Sequence, residues 1–277
     1  MPKLEFKDIF NRDKGKTGLV LGLGPSLGRH LSQIKTFVDH DKEKYKLISC
    51  NNMDVMTDIN FDYWMLAQPA DHENPLHIPR MFNRINKKGS MFLYTDCLDL
   101  TPRDTVDSLL KVPYIGYDQR HWYGTDRCGY GHFEKDFDGK GKNKCCQGII
   151  PGRLCIQEEF MKFCGMHEHY GAGDTVGVHM VALAVMLGLN PIYITGIDLD
   201  YRLGYVNNNA KIEDSMDYRI SIGMDSINRN QPIVDRILKD LQLIKDSAEN
   251  IGTKIYAMDF DLKINKVFEH KRLITST

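Results

Sequence analysis

A short apolar run near the start of the chain ends in a glycine turn and leads directly into a segment with helical spacing. Gly18 to Leu21 is the apolar run, Gly22 to Leu27 reads GLGPSL, and apolar residues then recur at helical spacing from Ser26 to Val38. Strand, tight turn and helix in this order open a doubly wound parallel sheet. This opening constrains the fold of the chain more than any other feature.

Further short runs alternate with helical segments along the rest of the chain. Nearly all of their residues are apolar, as in strands covered on both faces: 45–50, 63–67, 90–95, 191–197 and 254–258. Helices are predicted from Asp174 or Thr175 to Leu187 and from Gln231 to Glu249. The alternation predicts an α/β, Rossmann-like fold with a mostly parallel sheet and helices on both faces.

The predicted organisation is a single α/β domain over residues 1–277 with a long insertion. From about residue 100 to residue 172 the regular pattern weakens, and residues 114–146 mix aromatic residues, glycines, charges and cysteines without a period. A long irregular stretch in a compact domain is usually a functional lid or partly disordered. We therefore expect an irregular insertion or lid at about 100–172.

Composition and charge restrict the function classes. The net charge is −1, so no overall positive field favours nucleic acid or an anionic membrane. The seven cysteines have no framework spacing, which indicates free thiols in a reducing cytoplasm. The charged N-terminus predicts no secretory signal, and the apolar stretch 176–187 is too short to cross a bilayer. We expect a cytoplasmic protein; peripheral attachment to the inner membrane and a homo-oligomer are left open.

The glycine turn is the first candidate binding site. Gly22 and Gly24 let a ligand approach the backbone, and the helix that starts near Ser26 offers amides to a phosphate. Pro25 stiffens the turn, and Leu27 stands where a dinucleotide fingerprint has its third glycine. The turn therefore predicts a phosphate site of another kind, with an ordinary βα turn as the alternative.

Polar residues at the ends of the next two strands are the second candidates. Asn51 follows the strand at 45–50, and Gln68 follows the strand at 63–67. An amide side chain both donates and accepts hydrogen bonds, which suits a base or a ribose. Helix-cap or turn residues are the alternative.

A third candidate combines a helix start with a strand end. Thr175 and Gly177 begin a helix, and Gly196 and Asp198 follow a strand, so all should lie at the edge that carries the glycine turn. Asp198 could bind a ribose hydroxyl, a metal or a substrate amine. A capping aspartate is the alternative.

Two other sets of residues have side chains suited to bind a metal or to act as a base, but a purely structural role explains them better. Cys128, His132, Cys145 and Cys146 are suitable zinc ligands, but their spacing matches no standard zinc knuckle, so no metal site is predicted. His179 lies inside the apolar helix and is interpreted as a core histidine.

The segments GLVLGLGPSL, LISCNN, LAQPA and DTVGVHMVALAVMLGLNPIYITGIDLDY together resemble the bacterial lipooligosaccharide sialyltransferases. Related patterns occur in flagellin-glycosylation motility-associated factors and in 6-hydroxymethylpterin pyrophosphokinase-like proteins. The resemblance covers roughly residues 17–70 and 172–205. It implies a glycosyltransferase that takes a cytidine monophosphate (CMP)-sugar as substrate, needs no metal or other cofactor, and passes the sugar to a glycan or glycolipid acceptor.

The resemblance also implies roles for individual residues. It assigns nucleotide binding to Gly24, Ser26, Asn51, Gln68, Thr175, Gly177, Gly196 and Asp198. It assigns the leaving phosphate to tyrosines after the GID turn, for which Tyr201 and Tyr205 are the nearest candidates.

Several residues depart from the family pattern. Leu23 and Gly173 replace an asparagine and an arginine, and no histidine lies between residues 205 and 231, where the family has its general base. The base must then come from elsewhere, with Asp198, Asp200 and His132 as candidates.

Two other functions stay open at this point. A pyrophosphokinase-like enzyme would move diphosphate from ATP to a pterin with Mg²⁺, which Asp198 and Asp200 could hold. A non-catalytic nucleotide-binding protein would keep the fold without the base.

Overall fold

The fold was analysed in a computed structural model. It describes residues 3–51, 53, 57–66, 77–95, 108–118, 154–167, 170, 175–199 and 231–273. The strands are β1 (Thr17–Leu21), β2 (Tyr45–Cys50), β3 (Tyr63–Leu66), β4 (Met91–Thr95), β5 (Tyr114–Asp118), β6 (Leu154–Cys155), β7 (Ile192–Thr195), β8 (Ile255–Ala257) and β9 (Glu269–His270). The helices are α1 (Ser26–His40), α2 (His77–Lys88), α3 (Ile156–Cys164), α4 (Val176–Met186) and α5 (Gln231–Asn250).

Within these residues the strands form one sheet of nine, and every neighbouring pair is parallel. The order across the sheet is β6-β5-β4-β3-β2-β1-β7-β8-β9. The chain therefore moves outward from β1 to β6, returns to pair β7 with the other side of β1, and continues outward to β9. This reversal between β1 and β7 is the topological switch point of the sheet, and the α/β, Rossmann-like prediction is confirmed.

Helices cover both faces because crossovers between parallel strands are right-handed. The connection from β1 to β2 moves one way along the sheet and the connection from β7 to β8 moves the other, which places α1 and α5 on opposite faces. Helix α4 packs on the sheet at β1, β2, β3 and β7, and it also contacts α3 and α5. Enclosed in this way, α4 is buried at every one of its residues.

The bounds of the insertion differ from the prediction. Irregular structure was expected across about 100–172, but β5, β6 and α3 lie inside that range. Gly116 interrupts the apolar run of β5, and β6 has two residues, so neither strand shows a period in the sequence. The prediction of irregular structure is wrong for 114–118 and 154–164, and residues 119–153 lie outside the described residues.

The enclosed helix α4 predicts a large cost for shortening a side chain at its centre. Leu183 is fully buried, so Leu183→Ala should lower the free energy of unfolding by about 2–5 kcal/mol through lost transfer energy and a cavity. Ile251, after α5, is 42% exposed, so Ile251→Ala should change it by less than about 0.5 kcal/mol. Urea unfolding of both variants measures the difference; equal effects would show that α4 is not central to the core.

Candidate functional site

The carboxyl ends of β1 and β7 lie side by side, so the loops that follow them meet at the switch point. Leu21 pairs with Thr195, the last residues of the two strands, and on its other side Leu21 pairs with Ser49 of β2. Open parallel sheets bind ligands in the crevice at this place. Three of the sequence candidates therefore reach one edge: the glycine turn, the residues after β2 and the turn after β7.

The glycines of the two loops are needed for the packing of one loop on the other. Gly22 N–H donates to Thr195 O (2.9 Å), and Gly24 N–H donates to Gly196 O (2.8 Å). A Cβ on Gly22 would overlap the Gly196 carbonyl, and a Cβ on Gly24 would lie 2.6 Å from Asp198 Cγ. Close approach of the Gly196 backbone to Gly22 and of the Asp198 carboxylate to Gly24 thus explains both glycines without a ligand. Their predicted role in ligand binding stays a prediction.

A buried hydrogen-bond network closes the contact between the loops. Ser26 N–H donates to Asp198 Oδ2 (3.0 Å), the Ser26 hydroxyl donates to Asp198 Oδ1 in a very short bond, and Gly196 N–H donates to Ser26 Oγ (2.9 Å). We call Ser26, Gly196 and Asp198 the loop clamp. Asp198 is 5% exposed and places a carboxylate at the positive end of α1. The capping role that the sequence left open for Asp198 is the one observed, although it caps α1 rather than a following helix.

The clamp changes what the glycine turn can offer a phosphate. The first amides of α1 are engaged inside the protein: Ser26 N–H by Asp198, Leu27 N–H by Gly24 O and Gly28 N–H by Pro25 O. Among the described residues, the Leu23 amide has no hydrogen-bond partner. Any phosphate at this turn must therefore use a different set of donors from the helix start that the sequence suggested.

Asn51 has the free side chain that a ligand would need. Its backbone is engaged, because Asn51 N–H donates to Met65 O (3.0 Å) and Trp64 Nε1–H donates to Asn51 O (2.9 Å). Its φ of 48° lies in the left-handed region, which asparagine tolerates better than most residues. Its side-chain amide makes no hydrogen bond within the part of the chain that the structure describes.

The start of α4 lies against the turn after β7, as the sequence predicted. Thr175 is the N-cap of α4, and its Oγ1 accepts a hydrogen bond from Gly177 N–H (3.3 Å). A Cβ on Gly177 would lie 3.1 Å from Ile197 Cδ1, so Gly177 lets that turn pack on the helix.

Several candidates cannot be placed. Gln68, His132, Tyr201, Tyr205 and Asp200 lie outside the described residues, so their roles stay predictions. His179 behaves as the predicted core histidine: it is 1% exposed, and its Nδ1 lies 2.9 Å from the Tyr170 hydroxyl, which is also buried.

The sequence analysis missed a histidine–aspartate pair at the same edge. His30 Nε2 lies 3.0 Å from Asp259 Oδ1, and the Thr195 hydroxyl donates to Asp259 Oδ2 (3.0 Å). His30 stands four residues after Ser26, on the same face of α1, and Asp259 follows the end of β8 by two residues. Asp259 directly follows the strand predicted at 254–258, so the rule that selected polar residues at the ends of the other strands would have selected it as well.

The described residues contain neither a candidate metal cluster nor a candidate membrane-spanning helix. There, no group of three or more histidine, cysteine, aspartate or glutamate side chains is arranged to hold a metal ion. None of the described helices combines the length and the apolar character needed to cross a membrane.

Comparisons with protein-family models and with curated proteins find no match to this chain.

The close contact between Gly24 and Asp198 predicts a coupling between the two positions. Gly24→Ala should lower the free energy of unfolding by about 1–3 kcal/mol, because the new methyl group overlaps the carboxylate. In an Asp198→Ala background the same change should cost less, since the overlapping atoms are gone. Urea unfolding of the two single variants and the double variant measures this coupling; strictly additive effects would contradict the geometry.

The buried carboxylate of Asp198 predicts a pH dependence of stability. Burial raises the pKa of Asp198 above its ordinary value, although the hydrogen bonds from Ser26 oppose the shift. The folded protein therefore holds this proton more tightly than the unfolded chain, and the stabilisation is lost as the pH rises through the raised pKa. The free energy of unfolding of the wild type minus that of Asp198→Asn should fall as the pH rises above the ordinary pKa of an aspartate, about 4, and through the raised pKa of Asp198. Parallel stability curves would refute this.

Proposed function

We propose that this protein is a glycosyltransferase that binds a CMP-type nucleotide-activated sugar at the carboxyl edge of the sheet and transfers the sugar to a glycan or glycolipid. The observation that carries the proposal is the convergence of sequence blocks. GLGPSL follows β1, LISCNN contains the end of β2, and the TGID turn, more than 100 residues later, begins at the last residue of β7; these three strands are adjacent in the sheet. These blocks belong to the segments on which the resemblance to sialyltransferases rests.

The loop clamp gives this edge a fixed shape. With α1 capped by Asp198, the donor would be held by groups around the clamp, among which the Leu23 amide and the Asn51 side chain are free in the described part of the chain. The resemblance assigns the leaving phosphate to Tyr201 and Tyr205. In such a transfer the nucleotide phosphate leaves as an anion, so hydroxyl and amide donors at this edge would stabilise it.

The clamp also weighs against transfer of diphosphate to a pterin. That reaction needs Mg²⁺ held by carboxylates, for which Asp198 and Asp200 are the candidates. Both Asp198 oxygens accept hydrogen bonds from Ser26 and the residue is only 5% exposed, so the carboxylate is engaged inside the protein rather than open to a metal ion. Sugar transfer without a metal leaves the clamp intact.

A binding assay with a matched pair of variants tests the nucleotide site. Asn51→Gly removes the side chain and keeps the left-handed backbone free of strain, so we expect CMP affinity to fall roughly 5- to 10-fold, as for a lost hydrogen bond worth about 1 kcal/mol. Asn11 has the same backbone class (φ 57°) but precedes β1 at the opposite edge, so Asn11→Gly should bind CMP as the wild type does. Calorimetry with CMP measures both.

The ligand panel separates the proposal from its rivals. CMP should stabilise the wild type against heating more than UDP, GDP or ATP does, with and without Mg²⁺, and a CMP-sugar should release CMP. Selective stabilisation by ATP with Mg²⁺ would favour the pyrophosphokinase. Binding of CMP without any turnover would favour a nucleotide-binding protein. Equal CMP binding by Asn51→Gly and Asn11→Gly would remove the site from this edge.

A further inference from the structure

His30 and Asp259 form a hydrogen-bonded pair that belongs neither to the loop clamp nor to the proposed nucleotide site. His30 lies one turn into α1, and its Nε2 is 3.0 Å from Asp259 Oδ1. The Asp259 side chain is 2% exposed, while the His30 side chain is 18% exposed. The carboxylate is therefore shielded from water, and the imidazole extends from it toward the surface at the carboxyl edge.

Several groups hold Asp259 in place. The Thr195 hydroxyl donates to its Oδ2 (3.0 Å), and Asn265 Nδ2–H donates to its backbone carbonyl (2.6 Å). Arg29 lies 3.5 Å from Oδ1 and forms a closer ion pair with Asp261 (2.7 Å). The orientation of the carboxylate is thus fixed from β7, from α1 and from the segment after β8.

This arrangement selects one form of the imidazole. A carboxylate can only accept a hydrogen bond, so Nε2 must carry the proton. In neutral His30 the other nitrogen, Nδ1, then has a free lone pair. Nδ1 makes no hydrogen bond in the described residues. A histidine oriented by a buried carboxylate, with its second nitrogen open, is the arrangement that enzymes use to accept protons.

We propose that His30 is the general base of the transfer and that Asp259 is its positioning residue; this inference rests on the proposed function. His30 Nδ1 takes the proton of the acceptor hydroxyl as the hydroxyl oxygen forms a bond to the anomeric carbon of the sugar. The bond from that carbon to the CMP phosphate oxygen breaks, and its electron pair leaves with CMP. Asp259 stabilises the imidazolium, which later releases the proton to water.

The surroundings of the pair support this assignment over Asp198. Asp198 is buried and gives both oxygens to Ser26, whereas His30 keeps a free nitrogen and partial exposure. Asp259 is the charged group in contact with His30, and the charged groups around the pair are Arg29, which lies 3.5 Å from Asp259 Oδ1, and Asp261 and Asp198, which interact with Arg29.

The variant His30→Gln separates the base from a structural contact. The glutamine amide can still donate to Asp259, but it cannot take a proton. We expect kcat for transfer from CMP-N-acetylneuraminate to lactose to fall roughly 10²- to 10⁴-fold, with the Kd for CMP and the melting temperature close to those of the wild type. The acid limb of the pH–rate profile, where the wild type loses activity as His30 is protonated, should also disappear. His40, exposed in the last turn of the same helix, supplies the control His40→Gln, which should keep wild-type kcat.

The fixed imidazole is tested without any substrate. Nitrogen-15 NMR of the free protein above the His30 titration should show the tautomer protonated at Nε2, and Asp259→Asn should release it into a mixture of tautomers. A mixture in the wild type would overturn the inference.

The kinetic outcomes are distinguishable. Wild-type turnover that survives in His30→Gln with an unchanged pH profile would overturn the base and leave the proposed function standing. Absence of turnover and of CMP binding in the wild type would overturn the proposed function, and the base with it.

Discussion

The contact between the loops after β1 and β7 is the constraint on which the site depends. The connections after β1 and β7 lead to helices on opposite faces of the sheet and so leave a crevice at the carboxyl ends of the two strands, which the loop clamp narrows. Ser26 joins Asp198 and Gly196 through buried hydrogen bonds, and glycines at 22 and 24 let the backbones meet. The start of α1, the end of β7 and the start of α4 are thereby held in one arrangement.

The loop clamp changes the interpretation of the GLGPS turn, although the position of that turn between β1 and α1 was predicted correctly. The order strand, GLGPS and helix resembles a phosphate site because a free helix start attracts anions. In this protein the anion at the helix start is the carboxylate of Asp198, supplied by a residue 172 positions away. The residues around Ser26 do not predict this partner, because the contact with Asp198 depends on the pairing of β7 with β1.

The sequence was sufficient for the sheet wherever strands are short, apolar and bounded by turns. The strand at 45–50 was predicted with the bounds that the structure has, and Thr175 caps the helix that was predicted to begin at Asp174 or Thr175. It was insufficient for β5, where Gly116 breaks the apolar run and pairing with β4 and β6 decides the conformation. It also missed the pair of His30 and Asp259, because the role of a histidine inside a helix depends on which side chain it contacts, and here that side chain is 229 residues away in the chain.

The central claim is that the carboxyl edge beside the loop clamp binds the nucleotide. Titration of the isotope-labelled protein with CMP, followed by amide chemical shifts, tests it most directly. We expect the amides of Leu23 and Asn51 to shift and to saturate together, while the amides of residues 11–16, at the opposite edge, do not move. Shifts clustered at 11–16, or no shifts at millimolar CMP, would contradict it.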